Sequence, residues 1–171
     1  MNVAPVLKEH CSGWAAAFSR ERDAIERALA PGPCELHHIG STAVPGLIAK
    51  PVIDILLVVP AIGALNDTAV TALGYVARGE YGIPGRRYFV RRTGEALDVH
   101  LHAFAQGDRH VRHHLAFRDL LRRSETSRAR YAAAKRAALQ RSGGDKATYQ
   151  SLKSPVVIEL LAEALQSPLP G

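Results

Sequence analysis

Within the stretch HHIGSTAVPGLIAKPVIDILLVV, His37 to Val59, a single carboxylate, Asp54, interrupts an otherwise apolar run. A charge inside a buried strand costs several kcal/mol unless it is paired, hydrogen-bonded or bound to a cation. Gly40-Ser41 precedes Asp54 by twelve intervening residues. A second carboxylate, Asp98, lies in ALDVHLHAF, where Asp98, His100 and His102 alternate with Val99, Leu101 and Ala103 and so share one strand face. A small Gly-Ser turn lets backbone N–H groups and a hydroxyl approach a phosphate closely. Carboxylates on adjoining strands can hold Mg²⁺, which neutralises phosphates and templates displacement at phosphorus. Residue types and spacing therefore point to phosphate chemistry around Gly40, Ser41, Thr42, Asp54 and Asp98, with Lys50 placed to bind a phosphate or to extend along a strand end.

These residues need a sheet to hold them. Pro51 to Val59 reads as a strand buried on both faces, and Cys34–Ile39 as a shorter strand before it. Arg86–Arg92 and Ala96–Phe104 read as a hairpin turning at Thr93-Gly94. Trp14, Phe18, Ile25 and Leu29 recur at helical spacing, ending at Pro31-Gly32-Pro33. The stretch AIGALNDTAVTALGY reads as a short amphipathic helix ending near Gly74. Three further helices are expected over Val111–Arg123, Ser127–Gln140 and Lys146–Gln166. The order is helix, sheet, helical tail, in one domain spanning 1–171.

Hydrophobic residues make up 47% and charged residues 22% of the 171, the balance of a soluble globular chain. No apolar run reaches membrane-span length and no signal-peptide core is present, and Cys11 and Cys34 form no C-x-x-C pair. A cytoplasmic protein with free thiols is expected. The net charge of +6 is concentrated late: between Arg109 and Arg141 ten Lys/Arg face two acids, Asp119 and Glu125. That bias favours an anionic partner, whether nucleotide, phosphorylated metabolite or nucleic acid, against the plainer reading of a solvated basic face.

The run HIGSTAVPGLIAKPVIDILL resembles the signature of the GrpB family, which is assigned to the nucleotidyltransferase superfamily whose best-known member is DNA polymerase beta. The resemblance extends to Trp14, LHAF, FRDLLRRS, Tyr131 with Lys135, and Tyr149 with Lys153. It implies an α+β fold of nucleotidyltransferase type: a mixed β-sheet with flanking helices and a C-terminal helical layer. It also implies a nucleotide pocket bounded by the Gly-Ser turn and the Asp54 strand. Active nucleotidyltransferases carry a second acid two residues beyond the first, and here that position is Leu56. Asp98 resembles the third carboxylate. Asp54, Asp98 and His100 are thus the expected metal ligands, for Mg²⁺ or Mn²⁺, with Zn²⁺ suited by the imidazole. One metal, or none, is more economical than two.

Three functions follow. In the first, a nucleotidyltransferase, Asp54 and Asp98 act catalytically, Gly40, Ser41 and Thr42 cradle phosphates, and Lys50 and Arg87 offset developing negative charge. In the second, the pocket binds a nucleotide or phosphorylated small molecule without catalysis, or acts as a chaperone-like module, as fusions of similar domains to dephospho-coenzyme A kinase suggest. In the third, the basic helices bind RNA, although few aromatics interleave their arginines. Each residue also has a structural reading. Asp54 can simply accept hydrogen bonds from Ser41 or Thr42, His102 can be structural or exposed, and Tyr131–Lys135 and Tyr149–Lys153 pack helix on helix more often than they bind a ligand.

Overall fold

The computed structural model describes residues 4–93 and 97–166. Helix α1 (Gly13–Leu29) turns Trp14, Ala17 and Ile25 inward at helical spacing. Strands β1 (Glu35–Ile39) and β2 (Val52–Val59) follow, joined through a 3-10 turn at Ser41–Ala43. Every residue of β2 except Asp54 is buried, as expected of a strand covered on both faces. After β2 come α2 (Asp67–Thr71), β3 (Val76–Ala77), β4 (Arg87–Arg91) and β5 (Asp98–Ala105). The chain then closes with α3 (Arg109–Arg123), α4 (Glu125–Arg141) and α5 (Lys146–Gln166).

The five strands form one mixed sheet in the order β1-β2-β5-β4-β3, with β2 and β5 parallel and every other pair antiparallel. This is the α+β architecture expected from the sequence. The parallel ladder opposes Val52 to Asp98, Asp54 to His100 and Leu56 to His102. Residues opposed in a ladder project from the same face, so Asp54, Asp98, His100 and His102 share one side. The other side carries Ile53, Ile55, Leu57 and Leu101, which pack against Trp14, Ala17 and Ile25 of α1. On the Asp54 side, Ile39, Leu56, Val58 and Phe104 form a small core closed by Val111 and Leu115 of α3. Val44 and Leu47, following the turn, join Leu120, Leu121, Tyr131 and Leu160 to seat the three C-terminal helices. Each fully buried Leu or Ile among these contributes about 2 kcal/mol.

Element boundaries shift where caps intervene. The expected helix after Pro60 divides into a 3-10 turn, Ile62–Ala64, and the short α2, whose N-cap Asn66 accepts from Ala69 N at 3.1 Å. Helix α3 starts two residues early because Asp108 accepts from His110 N at 2.8 Å. Ser124 caps α4 likewise through Ser127 N at 3.1 Å, so that helix begins at Glu125. Residue Gly94 of the expected hairpin turn, and Ala96 after it, lie outside the described residues.

Candidate functional site

The site begins at Gly40, whose φ of +73° is a left-handed conformation open to glycine. A Cβ built there would lie 2.7 Å from Asp54 Oδ2, so the carboxylate rests directly on the Gly40 backbone. Thr42 is buried, and its hydroxyl donates to Val52 O at 2.9 Å. That uses its only proton, so His38 Nε2, 3.0 Å away, must be the donor to Thr42 Oγ1. His38 is accordingly neutral: burial, then the charge of Arg122, pushes its pKa down to about 4. Thr42 thus locks the turn onto β2.

Asp54 is paired, and its partner is His102, whose Nε2 lies 3.0 Å from Asp54 Oδ1. Arg86 Nη1 lies 3.3 Å from the other ring nitrogen, Nδ1. A guanidinium only donates, so Nδ1 accepts from Arg86 and Nε2–H donates to Asp54. His102, expected to be structural or exposed, is therefore the bridge between a buried arginine and the carboxylate. His100 Nδ1 is farther off, 3.6 Å from Asp54 Oδ1. Burial alone would raise the Asp54 pKa, but the hydrogen bond from His102 and the nearby Lys50 ammonium help to outweigh it and hold the carboxyl below its ordinary value. The carboxylate is ionised, and its side chain remains 24% exposed toward the pocket.

The C-terminal helices complete this pocket. Lys135 of α4, only 3% exposed, places Nζ 2.6 Å from Ser41 Oγ and 2.7 Å from Ile48 O. Lys153 of α5 lies over the Tyr149 ring at 5.2 Å, as Lys135 lies over Tyr131 at 4.9 Å. Burial, with the neighbouring charges of Lys153 and Lys50, brings the Lys135 pKa down to about 7. Burial and then Lys50 bring Lys153 down to about 8. Gly40, Ser41, Asp54, Lys50, Lys135 and Lys153 all line one cavity of about 210 Å³. The sequence signals for the two helical lysines are the Tyr-x-x-x-Lys spacing in α4 and α5, which more often means packing, and the family resemblance that includes both pairs.

Other expected site residues fall elsewhere. Asp98 shares the Asp54 face but lines an adjoining cavity of about 350 Å³, together with His100 and Lys50, and not the Ser41 cavity. Among the described residues no three His, Cys, Asp or Glu side chains are grouped to hold a metal ion. Of the expected ligands Asp54, Asp98 and His100, only Asp54 lines the Ser41 cavity, and one of its oxygens is already engaged by His102. Arg87 is also corrected: it is opposed to Ala103 on the far face of the sheet, where Nη1 donates to Asp67 Oδ1 at 2.7 Å and Leu65 O at 2.9 Å. Its neighbour Arg86 occupies the site face instead. Leu56, where a second acid would stand, is 0% exposed among Ile39, Val58 and Phe104.

Fold and site together define an α+β protein with a mixed five-stranded sheet and a lysine-lined pocket against a Gly-Ser turn. Residues 4–163 match the family described as GrpB protein, and the chain belongs to that family. The crystal structure of conserved protein GrpB from Enterococcus faecalis is similar with a TM-score of 0.81 and 29% identity, over 94% of this chain and 100% of that one. UPF0157 protein YqkA of Bacillus subtilis is 39% identical over 125 residues, covering 72% of this chain and 36% of YqkA. A dephospho-CoA kinase of Mycolicibacterium paratuberculosis is 31% identical over 168 residues, covering 83% of this chain and 41% of the kinase. The chain thus spans well under half the length of these two relatives. Among the described residues no helix is long and apolar enough to cross a membrane.

Proposed function

We propose that the protein binds a phosphorylated ligand, a nucleotide or another phosphorylated small molecule, in the Ser41 pocket, with weak or no transferase activity. The observation that carries this reading is the convergence of Lys50, Lys135 and Lys153 from three segments on one hydroxyl-bearing turn. Three ammonium groups beside one carboxylate leave a cationic cradle that a phosphate neutralises. Ser41 Oγ is held in place by Lys135 and can hydrogen-bond a phosphate oxygen. The buried, apolar Leu56 and the engaged Asp54 carboxylate weigh against a two-metal transfer centre. The kinase relative favours a second use of the same pocket, as a binding module assisting an attached enzyme.

Nucleic acid suits the basic helices less well. Arg118 donates to His38 O, Arg122 to Ala43 O and Arg128 to Leu121 O, Arg130 pairs with Glu159, and Lys135 holds Ser41. Much of the basic excess thus serves internal contacts and forms no continuous stripe.

A thermal-shift titration with inorganic phosphate and with nucleoside triphosphates, in the presence of a chelator, tests the reading. A ligand at about a hundred times its Kd adds roughly 2.7 kcal/mol of stability. Stabilisation that persists without metal and disappears in Lys153→Met supports the pocket. No stabilisation by any of these anions overturns it.

A further inference from the structure

We infer that the natural ligand carries two separated anionic groups, the second held in the adjoining chamber on the β4–β5 side of the Ser41 pocket. This rests on the phosphate reading of that pocket and extends it. The chamber, about 350 Å³, shares Lys50, Val52 and Gln150 with the Ser41 cavity, so the two meet along one wall with an ammonium group in it. Beyond Lys50 it is lined by Arg78, Arg92 and Lys146, against one carboxylate, Asp98. Three of these four cations stand at exposed positions, and their excess over the single acid gives the chamber a positive potential that favours an anion.

Nearby arginines are already engaged: Arg86 donates to Glu80 O and Tyr81 O, Arg87 to Leu65 O and Asp67, and Arg91 to Glu21. Arg78 and Lys146 make no such side-chain bond among the described residues. The remaining wall mixes the polar His100 and Gln150 with Val52, Val90, Tyr81 and Tyr88, and the latter four give an uncharged linker between the two anions apolar and aromatic surface to lie on. The chambers are also tied together mechanically. Arg86 holds the Glu80–Tyr81 loop through two carbonyls while its Nη1 reaches His102, the partner of Asp54. A ligand with an anion in each chamber gains from the second contact as an intramolecular event.

Calorimetric titration of the full chain with hexyl phosphate and hexanediol bisphosphate tests this, with butanediol and octanediol bisphosphates alongside so that linker length does not decide the result. The best bisphosphate is expected to bind at least about tenfold more tightly than hexyl phosphate. The double variant Arg78→Gln/Lys146→Gln, altered only at exposed positions, should remove that advantage and leave hexyl phosphate binding unchanged. Lys153→Met should weaken both compounds. Equal affinities for the mono- and bisphosphates, or an advantage that survives the double variant, overturn the two-anion inference while the phosphate pocket stands. If hexyl phosphate and the bisphosphates all fail to bind, both readings fall.

Discussion

Lys135 Nζ lies 2.6 Å from Ser41 Oγ although 94 positions separate the two residues. The contact joins the last helical layer to the turn between the first two strands, and its ammonium also caps Ile48 O. One buried lysine therefore fixes the shape of the pocket and supplies part of its charge. Its depressed pKa ties that charge to pH.

Anion binding should weaken as pH rises. Lys135 and Lys153 titrate near 7 and near 8, so both are cationic at about pH 6 and mostly neutral at about pH 9. Sulfate, which does not titrate in this range, is the proper probe. Calorimetry should show its affinity falling at least about tenfold across that interval, with proton uptake on binding near neutrality. A flat profile would place the anion away from these lysines.

The same group leaves a mark on stability. The ordinary lysine value is 10.5 and the folded value is about 7. Between them the unfolded chain binds more protons, so stability rises with pH through that window. The full cost of burying the charged amine is present below about pH 7. Urea midpoints at pH values of about 6, 8 and 10 should give a shallower rise for Lys135→Met than for the wild type.

Asp54→Asn separates direct from metal-mediated binding. Asn keeps an oxygen to accept from His102 but loses the stabilisation that goes with the depressed carboxyl pKa, so the melting temperature should fall modestly near neutral pH while the fold is retained. Removing a negative charge beside the cradle should tighten phosphate binding several-fold; a metal bridge would predict the opposite. The acid limb gives an independent reading. The folded Asp54 pKa is depressed, so its stabilisation is present above the unfolded value near 4 and is lost as pH falls through the folded one. The variant should lack that component of acid destabilisation.

Gly40→Ala should be far more damaging than Gly107→Ala. Both glycines have positive φ, +73° and +84°, so both substitutions carry backbone strain of about 1 kcal/mol. Only at Gly40 does the added Cβ meet Asp54 Oδ2 at 2.7 Å, while at Gly107 nothing lies within 4 Å. Chemical denaturation should show Gly40→Ala losing about 2 kcal/mol or more, with weakened phosphate binding, because the carboxylate must move.

Leu56→Asp should not restore a metal centre. The side chain is fully buried among Ile39, Val58 and Phe104, so the new carboxylate would be desolvated in an apolar cluster. A loss of about 3 kcal/mol or more is expected, with no gain in Mg²⁺ affinity by calorimetry. A stable variant that binds Mg²⁺ would instead make the site a lapsed two-metal centre.

Much of this was legible from local pattern. The unbroken apolar run around Asp54 required a doubly covered strand and a partner for the charge, and the alternation in β5 placed Asp98, His100 and His102 on one face. The GST-x-VPGL run and its spacing to Asp54 indicated the family, and the helical periods located α1 and α3 to α5. What periodicity conveys is which face a side chain leaves by, because that depends only on backbone geometry. It cannot say which distant residue stands opposite. Only the parallel pairing of β2 with β5 made His102 the partner of Asp54, and the pairing of β4 with β5 sent Arg87 to the far face, while Arg86, just before β4, reaches His102 on the near one. Likewise, Tyr131–Lys135 and Tyr149–Lys153 have the same spacing whether they pack helices or line a pocket. The fold of α4 and α5 over the turn decided it, because burial and charge at a site are sums over groups that chain order keeps far apart.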